Sequence, residues 1–134
     1  MKTNLSAGLI RAVVALGLTV PVALQTGCLV VAAGAAAAGT VVYVRGELKS
    51  SLPDSYEAVV KAANQAIDSL RFRKTEEEGD ALKTEIEART GTDKSVEIDI
   101  VRVSDSLTEV HIRVGVFGDE SMSLTILDKI KESL

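Results

Sequence analysis

The sequence predicts an α+β domain: an antiparallel sheet of four to five strands with two helices packed on one face, in the order β-α-β-β-β-β-α. Three observations carry this. Apolar residues alternate with polar ones around 42–48, 82–88, 96–100 and 108–116, as half-buried strands require. They recur at three- and four-residue spacing over 56–70 and 124–134, as a one-sided helix requires. Short turns rich in Gly, Asp and Ser separate consecutive strands, which implies a meander with the helices gathered on one face.

Each element follows from its own residues. From Val41 the alternation sets Val42, Val44, Gly46 and Leu48 on one face and Tyr43, Arg45, Glu47 and Lys49 on the other, and Leu52-Pro53 ends the strand. Asp54-Ser55-Tyr56-Glu57 has capping-box spacing, with Asp54 as the cap. Tyr56, Val59, Val60, Ala63, Ile67 and Leu70 form the apolar stripe of the helix it starts. Phe72–Glu78 reads as an edge strand ended by Gly79-Asp80. Its Glu76-Glu77-Glu78 run is a solvated edge that discourages pairing with other chains rather than a metal site. Leu82, Thr84, Ile86 and Ala88 face inward on the next strand, and Thr90-Gly91-Thr92-Asp93 is turn chemistry. Val96, Ile98 and Ile100 alternate, then Val101 and Val103 fall out of phase, which predicts a bulge near Ile100–Val101. After Ser104-Asp105-Ser106, the inward set is Thr108, Val110, Ile112, Val114 and Val116. The closing helix follows Gly118-Asp119-Glu120, with Leu124, Leu127, Ile130 and Leu134 inward and Ile126 at the border. Asp119 and Glu120 at its start and Lys129 and Lys131 near its end suit the helix dipole.

Charge divides the 134-residue chain sharply. Residues 1–44 hold Lys2, Arg11 and no acid, whereas residues 45–134 hold the other 13 Lys and Arg against all 19 Asp and Glu, a net of −6. No nucleic-acid partner is expected, because no basic surface capable of neutralising phosphates survives in an acidic domain. One Cys and one His exclude a disulfide scaffold and a zinc site built from Cys and His.

The leader has a distinct grammar. After the two positive charges, Ala12–Leu24 is an uncharged apolar run of 13 residues, the length of a signal-peptide core and too short for a span of about 20. Gln25-Thr26-Gly27 breaks it and Cys28 follows. The stretch resembles the lipobox of bacterial lipoproteins, with Gly27 and Cys28 flanking the signal cleavage and Cys28 the lipidated residue. Gln25 stands where that pattern has Leu, so slow processing is expected. The resemblance implies a diacylglyceryl thioether on Cys28, often with a third acyl chain such as palmitate, and Leu29 in the next position permits sorting to an outer membrane. The other reading of Cys28 is a small buried hydrophobe in an uncleaved anchor over Ala12–Val44. Leu29–Val44 would reach only about 24 Å as a helix, short of the roughly 30 Å hydrocarbon core, and its Ala32–Gly39 centre reads as a tether. The expected organisation is a signal peptide over 1–27, a lipidated Cys with its Ala/Gly-rich tether over 28–40, and the α+β domain over 41–134.

The element layout is similar to the helix-grip folds of some outer-membrane assembly lipoproteins, a likeness of topology that assigns no function. The stretches GCLVVAAGAAAAGTVVYVRGELKSSLP and TEVHIRVGVFGDESMS, the Tyr56-led helix and the final IKESL resemble a family of small bacterial lipoproteins. It is the domain of unknown function numbered thirty-five sixty-eight. The resemblance runs from Cys28 to Leu134, and VYVRGEL and IRVGVFGDE are its most specific pieces. It implies an envelope location and a lipid anchor, and no activity.

The chemistry-bearing residues are few. His111 lies between Glu109 and Arg113 at two-residue spacing, so all three share the outer face of a strand. A base, carboxylate and cation in that pattern could serve catalysis, but charge pairing on a solvated face produces the same pattern, and no Ser or Cys nucleophile accompanies it. Asp105, Asp119 and Glu120 lack EF-hand spacing, and Gly115 and Gly118 open no phosphate loop. No cofactor or metal is expected. The expected function is a non-catalytic structural or interaction module held at the bacterial envelope. Its partners would be the membrane, through lipid on Cys28, and an envelope protein at the Glu109–His111–Arg113 face. The alternative is a carrier of a small apolar ligand or lipid between sheet and helices.

Overall fold

A computed structural model describes residues 39–134 of the chain. Gly27, Cys28, the signal segment and the tether as far as residue 38 lie outside the described residues. The elements are β1 (Val41–Val44), β2 (Glu47–Leu52), α1 (Tyr56–Ser69), β3 (Arg73–Gly79), β4 (Lys83–Arg89), β5 (Ser95–Ser104), β6 (Leu107–Val114) and α2 (Glu120–Glu132). All the strands join one antiparallel sheet in the order β1-β2-β6-β5-β4-β3. The helices pack on each other and on the inner sheet face. The α+β class stands, with six strands where four to five were expected.

The extra strand arises at Arg45-Gly46. The sequence suggests one strand through this point, but both residues have positive φ, 54° and 82°, and close a two-residue hairpin of the primed type. Such a turn inverts the parity of the alternation. Val44 pairs with Glu47 and Val42 with Lys49 on the outer face, while Tyr43 pairs with Leu48 on the inner one. Val42 and Val44 are therefore exposed, and Leu48 is fully buried.

The core is a layer of β-branched and Leu side chains between sheet and helices. Leu48, Ile112, Ile98 and Ile86 form one cross-strand row, covered by Val59, Ile67, Ile126, Leu127 and Ile130 of the helices. On α1 the inward stripe includes Ala62 and Ala66, whose small side chains let the helix lie close, whereas Val60 and Leu70 are only partly buried. On α2 the stripe is Ser123, Ile126, Leu127 and Ile130, so Ile126 lies at its centre and Leu124 and Leu134 are exposed. A serine can face inward because its hydroxyl donates to the Asp119 carbonyl at 2.8 Å.

Three further expectations shift. The ladder irregularity falls between Arg102 and Ser104, and Val101 stays in register opposite Glu109 on the outer face. The inward alternation does not extend to Leu82 or Val116, which are exposed at the sheet ends. The cap of α1 is Ser55, whose Oγ accepts from the Ala58 N–H, rather than Asp54. Glu57 does not reach back to the cap; it pairs with Arg102, whose guanidinium lies 5.2 Å over the Tyr56 ring. Tyr56 in turn hydrogen-bonds Thr84 and donates to the Asp80 carbonyl at 2.8 Å, fastening the start of α1 to the β3–β4 turn.

Asp119 caps α2 by accepting from the Met122 N–H at 3.0 Å, and Lys94 lies 3.1 Å away. These two contacts, the backbone donor first, hold its carboxyl below the usual carboxylate range. The Leu82 and Lys83 N–H groups do the same for Asp80, as Lys74 and then Asn64 do for Glu77. Each group binds its proton less readily folded than unfolded. Its contribution is therefore complete above the unfolded value near 4, and is lost as the pH falls through the depressed folded value. The melting temperature is expected to decline in that acid window. Asp119→Asn, which keeps a cap acceptor but cannot titrate, is expected to shallow the decline in thermal melts run across the window.

Candidate interaction face

The helices cover one side of the sheet, and the other carries a polar lattice fixed by strand register. One row runs Glu47, Arg113, Glu97, Glu87 and Glu76 across β2, β6, β5, β4 and β3; the next runs Lys49, His111, Asp99, Glu85 and Glu78. A third begins Ser51, Glu109, Val101 and Lys83. The inner residues of β6, which are Thr108, Val110, Ile112 and Val114, are all buried, and this pins its odd-numbered residues to the outer face.

His111 sits near the middle of the lattice, its side chain 19% exposed. Its Nε2 is 2.7 Å from Glu109 Oε1 and its Nδ1 is 3.6 Å from Glu47 Oε1, so the imidazole bridges carboxylates on adjacent strands. Arg113 lies opposite both Glu47 and Glu97. Glu47, Glu97, Asp99, His111 and Arg113 line a shallow recess of about 240 Å³. On its far side Asp99 Oδ2 lies 3.3 Å from Lys83 Nζ, while Asp99 Oδ1 is buried without a hydrogen-bond partner. The Asp99 carboxylate, with Glu85 in support, holds the Lys83 ammonium above its ordinary pKa.

The structure thus brings Glu109, His111 and Arg113 together on one outer face, as their spacing suggests. It adds Glu47, Lys49, Glu97 and Asp99, whose sequence positions gave no hint that they meet His111. Towards β3 the lattice becomes acidic: Glu87 faces Glu76 and Glu97, and Glu85 faces Glu78 and Asp99. Like charges directly opposite in a ladder cost stability, so this surface is better suited to meeting cations than to holding the sheet together. Among the described residues, no group of three or more His, Cys, Asp or Glu is arranged to hold a metal ion. No helix among them is long and apolar enough to cross a membrane.

No curated protein matches the chain. The family described as "Protein of unknown function (DUF3568)" matches residues 10–133, which takes in the whole sheet, both helices and the His111 lattice. A match over nearly the full length leaves one conclusion: the chain belongs to that family.

Proposed function

We propose that this protein is a bacterial envelope lipoprotein, anchored by lipid on Cys28, whose folded domain is a non-catalytic interaction module. The observation that carries the anchor is Cys28 itself, the only cysteine, placed after a 13-residue apolar run and the short Gln25-Thr26-Gly27 break. A single acyl chain holds a protein only marginally, so the two or three carried by such a cysteine suffice for stable attachment. The domain then stands on the periplasmic side, with the outer membrane favoured by Leu29.

The domain geometry supports interaction over carriage. Leu48, Val59, Ile98, Ile112 and Ile130 fill the space between sheet and helices with no exposed surface. One recess of about 430 Å³ does lie where α1 meets β3 and β4, lined by Tyr56, Val60, Glu77 and Thr84, but it opens to solvent at the sheet edge and does not reach the buried core. The others lie at the sheet ends, along the edge and on the outer face. The Glu47–Glu97–Asp99–His111–Arg113 lattice is the surface offered to an envelope partner. Within it His111 hydrogen-bonds Glu109 on its own strand and lies 3.6 Å from Glu47 on the next, an arrangement consistent with a charge-pairing role.

Metabolic labelling tests the anchor. Radiolabelled palmitate is expected in the wild-type protein and absent from Cys28→Ala, which should persist at precursor mass or leave the membrane fraction. Label that survives the substitution removes the assignment. Gln25→Leu is expected to shorten the precursor lifetime in a pulse-chase, and equal lifetimes would show that Gln25 does not slow processing.

A further inference from the structure

At the end of the sheet where β6 gives way to α2 lie the most exposed large apolar side chains among the described residues: Phe117 is 93% and Val116 82% accessible. The other phenylalanine, Phe72, packs against the core. The tip is a held feature. Gly118 lies against Gly46 so closely that a Cβ on either would collide with the other segment's backbone, and Asp119 beyond it is fixed by Lys94 and by α2. The same end gathers cations from four other segments. They are Arg45 in the β1–β2 turn, Arg71 and Arg73 at the start of β3, Arg89 at the end of β4, and Lys94 before β5. Two of its acids are engaged, Asp93 between Arg73 and Arg89 and Asp119 as the cap of α2, while Asp68 and Glu120 are exposed and leave the cations in the majority. Arg45 and Arg71 have no ion-pair partner among the described residues. The turns at the opposite end carry Asp54, Asp80 and Asp105, and the strand-end cations there, Lys83 and Arg102, are paired with Glu85 and Asp99 and with Glu57.

We infer that this end of the domain docks on an anionic lipid surface, with Phe117 and Val116 entering the interface and the arginines meeting headgroup phosphates. A projecting apolar tip ringed by long cationic side chains matches the polarity gradient of a bilayer surface, where the ring inserts and the guanidinium stems lie along the boundary. A recess of about 430 Å³ beside Phe117, lined by Arg89 and Lys94 and by the paired Asp93 and Asp119, gives a headgroup room. The domain as a whole is acidic, so only the polarised end suits such a surface; the carboxylate-rich outer face then stands away from it.

This inference rests on the anchor proposed at Cys28, and the chain length permits it. Gly39 enters at the other end of the sheet, its N–H donating to the Ser51 carbonyl. Residues 29–38 have a contour of up to about 35 Å, against about 27 Å for the eight residues of β6, so a lipid on Cys28 can share a bilayer with Phe117.

The chain contains no tryptophan, so one introduced residue reports its own surroundings. Full-length Phe117→Trp, purified from membranes, is reconstituted into vesicles of brominated phosphatidylcholine with and without phosphatidylglycerol. Val103→Trp, at the opposite end and also exposed, is the comparison. The expected result is a blue shift and quenching of Phe117→Trp that depend on phosphatidylglycerol, with Val103→Trp unchanged. Flotation of the vesicles reads the anchor separately. Chain that floats while Phe117→Trp stays unquenched overturns the docking and leaves the anchor standing; chain that neither floats nor is quenched overturns both. Quenching of Val103→Trp instead, or of both variants equally, places another surface at the membrane and overturns the docking. Quenching indifferent to phosphatidylglycerol overturns the role given to the cations.

Discussion

Ile112→Ala is expected to destabilise the domain by about 2–5 kcal/mol, whereas the adjacent His111→Ala costs about 1 kcal/mol or less. Ile112 lies between Leu48 and Ile98 at the middle of the sheet and has no exposed surface, so truncation leaves a cavity beneath both helices. His111 points the other way, and its loss removes one hydrogen bond, to Glu109, on a face where water can replace it. Urea titrations of the two variants should show a large drop in midpoint for Ile112→Ala and a small one for His111→Ala, with slopes close to wild type. The reverse order would mean that β6 presents its other face to the core. The same pair tests the function. Partner recovery that weakens in His111→Ala at an unchanged melting temperature supports the lattice as an interaction surface. A turnover activity that vanishes in that variant would instead make His111 part of an enzyme.

Gly118→Ala is expected to cost about 2–4 kcal/mol, combining a left-handed backbone penalty with overpacking. At φ +84° an added Cβ would fall 2.3 Å from both the Cα and the O of Gly46, and these are backbone atoms that cannot rotate aside. Gly115 provides the control. It has φ +71° but open space around its missing Cβ, so Gly115→Ala pays only the conformational share, about 1–2 kcal/mol. The difference between their denaturation midpoints isolates the contact between the β1–β2 turn and the loop before α2. Equal losses would show that the two segments separate readily.

What could be read from the residues follows the range of the forces involved. Strands β4 and β6 and the first half of β5 were legible because their alternation is uninterrupted and polar turns bound them. The β1–β2 hairpin was hidden because a two-residue turn inverts parity without breaking the visible pattern, and only the positive φ of Arg45 and Gly46 reveals it. Ser123 hid the true stripe of α2, since an inward hydroxyl satisfied by its own helix resembles a surface serine in sequence. The pairing of His111 with Glu109 was readable from two-residue spacing. Its contact with Glu47 and its place beside Asp99 were not, because strand neighbours are set by register between distant segments rather than by local composition.

The order β1-β2-β6-β5-β4-β3 has a consequence for the way the chain acquires its structure. The β3 to β6 meander closes only short loops, so each hairpin can form as soon as its two strands are free to pair. Strand β2 pairs internally with β6, and the two are separated by α1 and three intervening strands. Until residues 107–114 join it, β2 has only the four-residue β1 beside it, and the inward side of α1 has no completed sheet to rest on. Zipping β2 onto β6 is thus the long-range closure on which cooperative assembly waits, and topology of that kind sets the pace of folding. The amino-terminal part of the domain is the first to be synthesised and the last to be secured.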